Sequence, residues 1–509
     1  MKSSSRRDFL RVGAVLSGAG VLGGGAALAA PDAEGAGRAR PGRGRFDADV
    51  IVVGAGFSGM IAAHRVRQAG YSAIVVDALD RVGGRSWSTT LSNGTFFDIG
   101  AGWISSRAVE IQALITEFGL QTYPTVGRLP SDGQSLFVSL DGKVTPYSGT
   151  PPLSDEALLE LGVAAETIDS LGETVPVGAP WTAPRAAEFD AISAGIFFQE
   201  LTSTPEANGY LTKQLTGIFG LDPFAVSLLQ MLALSHSVDG LANYGQGPGG
   251  VNELRIVGGT QQIPLEIARR LGRRRVLLNS PVRDIEQDDR GVTVRTERAT
   301  MRGRRVILAI ATCVRNFIRF SPPLPPDRAQ FMQRYPLGTV LKLQLIYDRA
   351  FWRDAGLNGN SFALNEAFIS QTVDGGGPLG VNEPGVLVGF PDDDAAREMG
   401  RMTPDQRRDL FIQEMIPRFG SPAQNLATTV TPNYSELIAE DFEFIRGDYG
   451  GQPGPRVLTA FGFGPALREP VGRIHWAGTD TSTRFYGSLS GAAQAGQRAA
   501  DEVIKAGLG

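Results

Sequence analysis

A single cysteine, Cys313, stands in a chain of 509 residues. One thiol excludes an internal disulfide framework and any metal site built from several thiolates. No histidine or other base lies near it in sequence, so it reads as an inert buried thiol. Basic charge is not in excess either, and a formal net charge of −4 disfavours a nucleic-acid partner. A strongly apolar run of spanning length is also missing. The uncharged stretch from Val12 to Ala30 holds six glycines between Gly13 and Gly25, weakly apolar for a transmembrane anchor, which stays the alternative reading of this run. It follows Ser5-Arg6-Arg7-Asp8-Phe9-Leu10 and ends in Ala27-Leu28-Ala29, the pattern of a twin-arginine signal peptide with a small-residue cleavage site. Residues 1–30 are therefore expected to be a leader read by the Tat export machinery, with a periplasmic or extracellular destination, and residues 31–46, rich in Gly, Ala and Arg, a linker. Export without disulfides fits a chain that folds around a bulky cofactor before leaving the cytoplasm. At 42% hydrophobic and 20% charged residues the composition is ordinary for a globular protein, and the length suffices for two or three cores.

What is present is glycine in the right places. Asp49 to Asp77 reads DVIVVGAGFSGMIAAHRVRQAGYSAIVVD: a short apolar strand, a glycine-rich turn, a helix, and a second strand ending in an acid. This is a βαβ nucleotide-binding unit. Gly54 serves the tight turn, Gly56 lets backbone approach a pyrophosphate, and Gly59 lets the helix lie on the strand. The anion sits on the helix N-terminus at Phe57 and Ser58, and Asp77 with Ala78 meets the ribose. Behind the second strand, Gly83, Gly84 and Arg85 offer close backbone approach and a cation, as a dinucleotide longer than a nicotinamide one requires. Gly100, Ala101, Gly102 and Trp103 form another turn where backbone passes close to something flat.

In these segments the sequence resembles the flavin-containing monoamine oxidase family, in which fingerprint, VGGR loop and acidic-Gly-x-Gly-aromatic turn follow in the same order. The resemblance extends to Gly258-Gly259-Thr260, to Asn279-Ser280-Pro281-Val282, and to Gly478-Thr479-Asp480 followed by Gly487-Ser488-Leu489-Ser490. It implies FAD as cofactor, with Val282 touching its adenine end and the positive end of the last helix, near Leu489, stabilising charge on the reduced ring. The implied fold class is α/β: a Rossmann-like FAD-binding domain (47–124, 251–315 and 449–509) with an interleaved α+β substrate domain (125–250 and 316–448).

Between these blocks the residues speak less clearly. Ser154 and Asp222-Pro223 are read as openings of helices whose leucines are core. His236 and His475 read as structural residues, Tyr244 to Gly250 as a flexible crossing, and Asn360 to Val430 as surface and helix without chemistry. Lys342 is the one cation in an apolar strand and must reach solvent or a specific partner; the resemblance assigns it a water held against flavin N5.

The family pattern is altered at the reacting end. Asp448 falls where many members carry the cysteine that binds FAD covalently, so non-covalent FAD is expected. Tyr449 matches the first of two tyrosines that flank the amine, while the second falls on Ser488, with Phe485 and Tyr486 beside it as candidate pocket wall. The resemblance implies oxidation of a small-molecule amine by hydride transfer to flavin N5 and imine hydrolysis, with Lys342 and Tyr449 as the catalytic pair. No metal takes part, oxygen or a soluble redox protein is the acceptor, and a homodimer is allowed. The alternatives on the same fold are a flavin desaturase or oxidase of carbon-carbon bonds and an exported flavoprotein without a substrate.

Overall fold

The structure is a computed structural model that describes residues 46–127, 130–378, 384–460 and 462–508. The expected leader and nearly all of the expected linker lie outside them. Strand β1 (Ala48–Val53), helix α1 (Phe57–Gln68) and strand β2 (Ala73–Val76) form the expected unit. β1 and β2 pair in parallel from Val50↔Ala73 to Val53↔Val76, and their Val/Ile side chains are buried on both faces, as a parallel sheet covered on both sides demands.

Around β1 an eight-stranded sheet is assembled from distant stretches of chain. Thr300–Leu308 lies parallel to β1 on the side away from β2, which in turn pairs with Val276–Leu277. The other edge of Thr300–Leu308 takes the antiparallel strand Gly291–Thr296 on its first half and the parallel strand Ile474–Trp476 on its second. Arg319–Ser321 adds to Val282–Asp288, so this sheet runs a few residues past the expected boundary at 315. α1 and the C-terminal helix Leu489–Lys505 pack together on one face, close enough that a Cβ on Gly496 would come within 2.2 Å of the Ser58 carbonyl oxygen.

A second, seven-stranded sheet has the order Tyr434–Ile438, Leu341–Tyr347, Gly385–Phe390, Gln371–Asp374, Leu357–Ala363, Gln134–Val138, Val144–Tyr147. Helix Pro404–Phe419 covers one side through Phe411, Met415 and Phe419. Helices Asp155–Glu173, Pro205–Phe219 and Leu228–Ser237 form a separate core. Ser154 caps the first of them as expected, its hydroxyl accepting from the Ala157 amide. Asp222-Pro223 differs from expectation. It opens only a short 3-10 turn, Pro223–Ala225, because Val226 is extended and its carbonyl accepts from the Ala194 amide; the helix restarts at Leu228. Among the described residues no helix is long and apolar enough to cross a membrane.

Candidate active site

The first groove lies at the ends of β1 and β2. Gly54 has φ +103°, and a Cβ there would meet the Ala309 carbonyl oxygen at 2.7 Å. A Cβ on Gly59 would lie 1.9 Å from the Gly54 carbonyl oxygen, so helix and turn touch only because both are glycine. Gly56 is different: its nearest neighbour would be 4.0 Å from a Cβ, which leaves its face open to the groove. The first turn of α1 has no side-chain cap, and its amides remain available to an anion. The Asp77 carboxylate accepts from the amides of Ala55 and Leu79, and burial raises its pKa. It therefore fastens the glycine turn as well as lining the groove.

Gly56, Val282 and Thr479, far apart in sequence, line this one groove, together with Gly54, Phe57, Ser58, Asp77 and Ala78. Gly83, Gly84, Arg85, Ala101, Gly478, Asp480, Ser488 and Leu489 line it too. It encloses about 1280 Å³ of atom-free space, part of it open to solvent. Gly59 stays behind it as a packing residue. The Asp480 carboxylate is held by the amides of Thr312 and Gly451, at 2.8 and 3.0 Å, and so ties two loops together at the rim.

Asp98, at the end of a short hairpin strand, ties the second sheet to the loops at Ser88 and Thr260. Its carboxylate accepts from Ser88 Oγ (2.6 Å), Arg255 Nη2 (3.2 Å) and the Thr260 amide (3.2 Å). Its carbonyl, like that of Gly100, accepts from Lys342 Nζ at 2.7 Å. Lys342 reaches out of the second sheet, where the strand around it is wholly buried, and its ammonium sits 5.0 Å from the Trp103 ring. Burial pushes its pKa down to about 7, with the Asp98 carboxylate opposing. Two of its three N–H groups are used on the glycine turn, leaving one for a water.

Arg85 donates to the Tyr449 carbonyl and lies 3.6 Å from Asp448, whose carboxyl is raised to about 6, chiefly by burial. Ser488 caps the last helix, accepting from the Gly491 amide at 3.1 Å and donating to the Phe485 carbonyl at 2.6 Å. Tyr486 is fixed through its hydroxyl by Tyr335 and the Gly451 carbonyl.

A second and larger cavity, with about 3070 Å³ of atom-free space on the same measure and part of it open to solvent, lies beyond this point. Gly100, Ala101, Gly102, Trp103, Lys342, Tyr449, Tyr486 and Ser488 line it. Arg85, Ala101, Asp448, Tyr449, Ser488 and Leu489 belong to both cavities, so the two meet there. Phe485 is a correction. It lines neither: at φ +52° its ring turns back into the core of the larger sheet, near Arg107 and Arg484. His236 bonds the Val175 carbonyl and His475 contacts Arg305, away from both cavities. Sequence reasoning misses the cavity wall made by Gln246, Asn358, Asn360, Ser361 and Thr372: Gln246 falls in the expected flexible crossing, Asn360, Ser361 and Thr372 in the segment expected to be without chemistry, and Asn358 in neither.

The residues present fit a flavin dinucleotide: an uncapped helix N-terminus, an open glycine face opposite Gly84, and a long groove that ends at a separate cavity. Residues 57–504 match the family described as flavin containing amine oxidoreductase. The chain belongs to that family, and it is a flavin-dependent amine-oxidising enzyme. It is 32% identical to putrescine oxidase of Kocuria rosea, over 91% of this chain and 96% of that one. The solved structure of a putrescine oxidase bound to putrescine superposes with TM-score 0.83 at 29% identity, covering 90% of this chain and 99% of the other. Cyclohexylamine oxidase from Brevibacterium oxydans gives 0.82 at 29%, with the same coverage.

Proposed function

We propose that the chain holds FAD non-covalently in the first groove and oxidises an amine that enters through the second cavity. The observation that carries this reading is the meeting of the two cavities at Tyr449, Ser488 and Leu489. Bound FAD supplies an acceptor for the hydride leaving the carbon next to nitrogen, and the imine product hydrolyses in water.

The protein's part is position and electrostatics. An unpaired ammonium is costly to bury, so the amine reaches the site as the neutral base. Tyr449 and Tyr486 present aromatic rings to it and exclude water. Burial raises both phenols well above their usual range, which keeps them protonated. The N–H of Lys342 not used on the Asp98 and Gly100 carbonyls would hold a water toward a bound flavin, an arrangement that favours oxygen as the acceptor, with peroxide released. Non-covalent binding rests on Asp448, a carboxylate where a thiolate would be needed for cysteinyl attachment. Anaerobic mixing of the purified protein with a panel of primary, secondary and cyclic amines tests the reading: bleaching of the flavin band supports it, and a flavin left oxidised by every amine overturns it.

The twin-arginine leader adds the proposal that this chemistry takes place outside the cytoplasm, after export of the folded, loaded enzyme.

A further inference from the structure

Away from the flavin end the larger cavity changes character. The charged side chains among its described lining residues are Arg85, Lys342 and Asp448. All three sit at the flavin end: Arg85 and Asp448 line the cofactor groove as well, and Lys342 is bound to the Gly100 carbonyl. Farther out, helices Asp155–Glu173 and Pro205–Phe219 give an apolar wall through Leu158, Leu161, Leu211 and Leu215. The strands Leu357–Ala363 and Gln371–Asp374, with the turn at Gln246, give a wall of uncharged dipoles.

These dipoles are pre-oriented. Asn360 Nδ2 donates to Gln246 Oε1 at 3.0 Å, and the Asn360 amide donates to Asn358 Oδ1 at 2.9 Å. Asn358 Nδ2 donates to Ser135 Oγ at 3.1 Å, and the Ser361 and Thr372 hydroxyls share a hydrogen bond of 2.8 Å. A Cβ on Gly127 would come within 2.2 Å of Asn360 Nδ2, so the glycine leaves that amide its place in the wall. A wall held in this way recognises a fixed pattern of donors and acceptors rather than adapting to any tail.

Resting on the amine-oxidising reading, we propose that this wall is a tail subsite for a neutral hydrogen-bonding group. The preferred substrate is then a monoamine whose far end carries an amide, hydroxyl or phenol, and its apolar middle lies along the leucine wall. A second ammonium brought to the wall loses water and finds amide and hydroxyl dipoles instead of a counter-charge, which is poor compensation. A neutral amide satisfies both itself and the wall, and buried polar groups shaped for one partner discriminate strongly against another.

The matched pair N-acetylputrescine and putrescine tests this, because the two share a carbon chain and differ in whether the tail is an amide or an ammonium. With the holoenzyme in anaerobic stopped flow, the ratio of limiting reduction rate to Kd is expected to favour N-acetylputrescine by about tenfold or more. Asn360→Asp puts a carboxylate on the wall and is expected to shift that preference toward putrescine by about tenfold. Gln246→Glu, in the half-buried turn, makes the same change where a buried aspartate would disturb packing. Putrescine reducing the flavin as well as its acetylated partner, or a preference unmoved in both folded variants, overturns the tail subsite while leaving amine oxidation intact. A flavin bleached by neither, nor by any other amine, strikes the underlying reading instead.

Discussion

Lys342 carries its charge where charge is expensive, and two consequences can be measured. Its pKa is lowered to about 7 by burial, while the unfolded chain keeps the ordinary 10.5. Between these values the unfolded state binds the extra proton, so this residue's contribution to stability rises with pH across that window and is least favourable at and below pH 7. Urea unfolding of holoprotein is expected to show Lys342→Met stabilised relative to wild type at pH 7, and less so at pH 9; a difference independent of pH would contradict the buried, depressed lysine. The same variant is expected to slow reoxidation of reduced flavin by oxygen about tenfold or more, with anaerobic reduction by amine nearly unchanged. Equal reoxidation in both proteins would remove the proposed water from Lys342. This residue was legible in the sequence because a lone cation in an apolar strand must find a partner. Asn360 and Gln246 were not, because an amide in a loop or strand carries no sign of whether it faces solvent or a cavity. Phe485 misled for a backbone reason: at positive φ, its direction departs from that of its neighbour Tyr486.

At the scale of elements, the cofactor end depends on two helices in near-backbone contact. Gly496 on the last helix meets the Ser58 carbonyl oxygen, and Gly59 on α1 meets that of Gly54; in each case the obstacle is backbone, which cannot swing aside. Gly496→Ala is expected to cost about 1–3 kcal/mol of stability through overpacking and to loosen FAD by shifting the N-terminus of α1. Thermal unfolding followed by flavin fluorescence checks both, and a variant with wild-type melting and wild-type flavin retention would show that the contact has slack. The spacing of Gly54 and Gly59 could be read directly from sequence, since strand, glycine turn and helix form a local pattern; the contact of Gly496 with Ser58 joins distant stretches. The 3-10 turn at Pro223–Ala225 could not, because the extended backbone of Val226 that ends it answers to the Ala194 amide, a partner 32 residues away.

For the whole molecule, the organising fact is that each sheet is built from separated stretches of one chain and that the two cavities they support meet at Tyr449 and Ser488. Local motifs marked the larger sheet well. The seven-stranded sheet was less visible, because its order interleaves strands from 134–147, 341–390 and 434–438 and no short motif records such pairing. Two expectations belong at this scale. Acid precipitation should leave yellow flavin in the supernatant, as non-covalent binding beside Asp448 requires, and a yellow pellet would mean a covalent link elsewhere. Replacing Arg6 and Arg7 together by lysine should leave the loaded enzyme in the cytoplasm, read by cell fractionation, while unchanged export would refute a twin-arginine leader. Everything above requires one flavin where the two cavities join, within reach of an amine. Anaerobic titration of the purified protein with an amine, followed at about 450 nm, tests it most directly. An oxidised-flavin band that amine bleaches and oxygen restores is expected; a colourless protein, or a band that no amine diminishes, would rule out an amine-oxidising flavin at that junction.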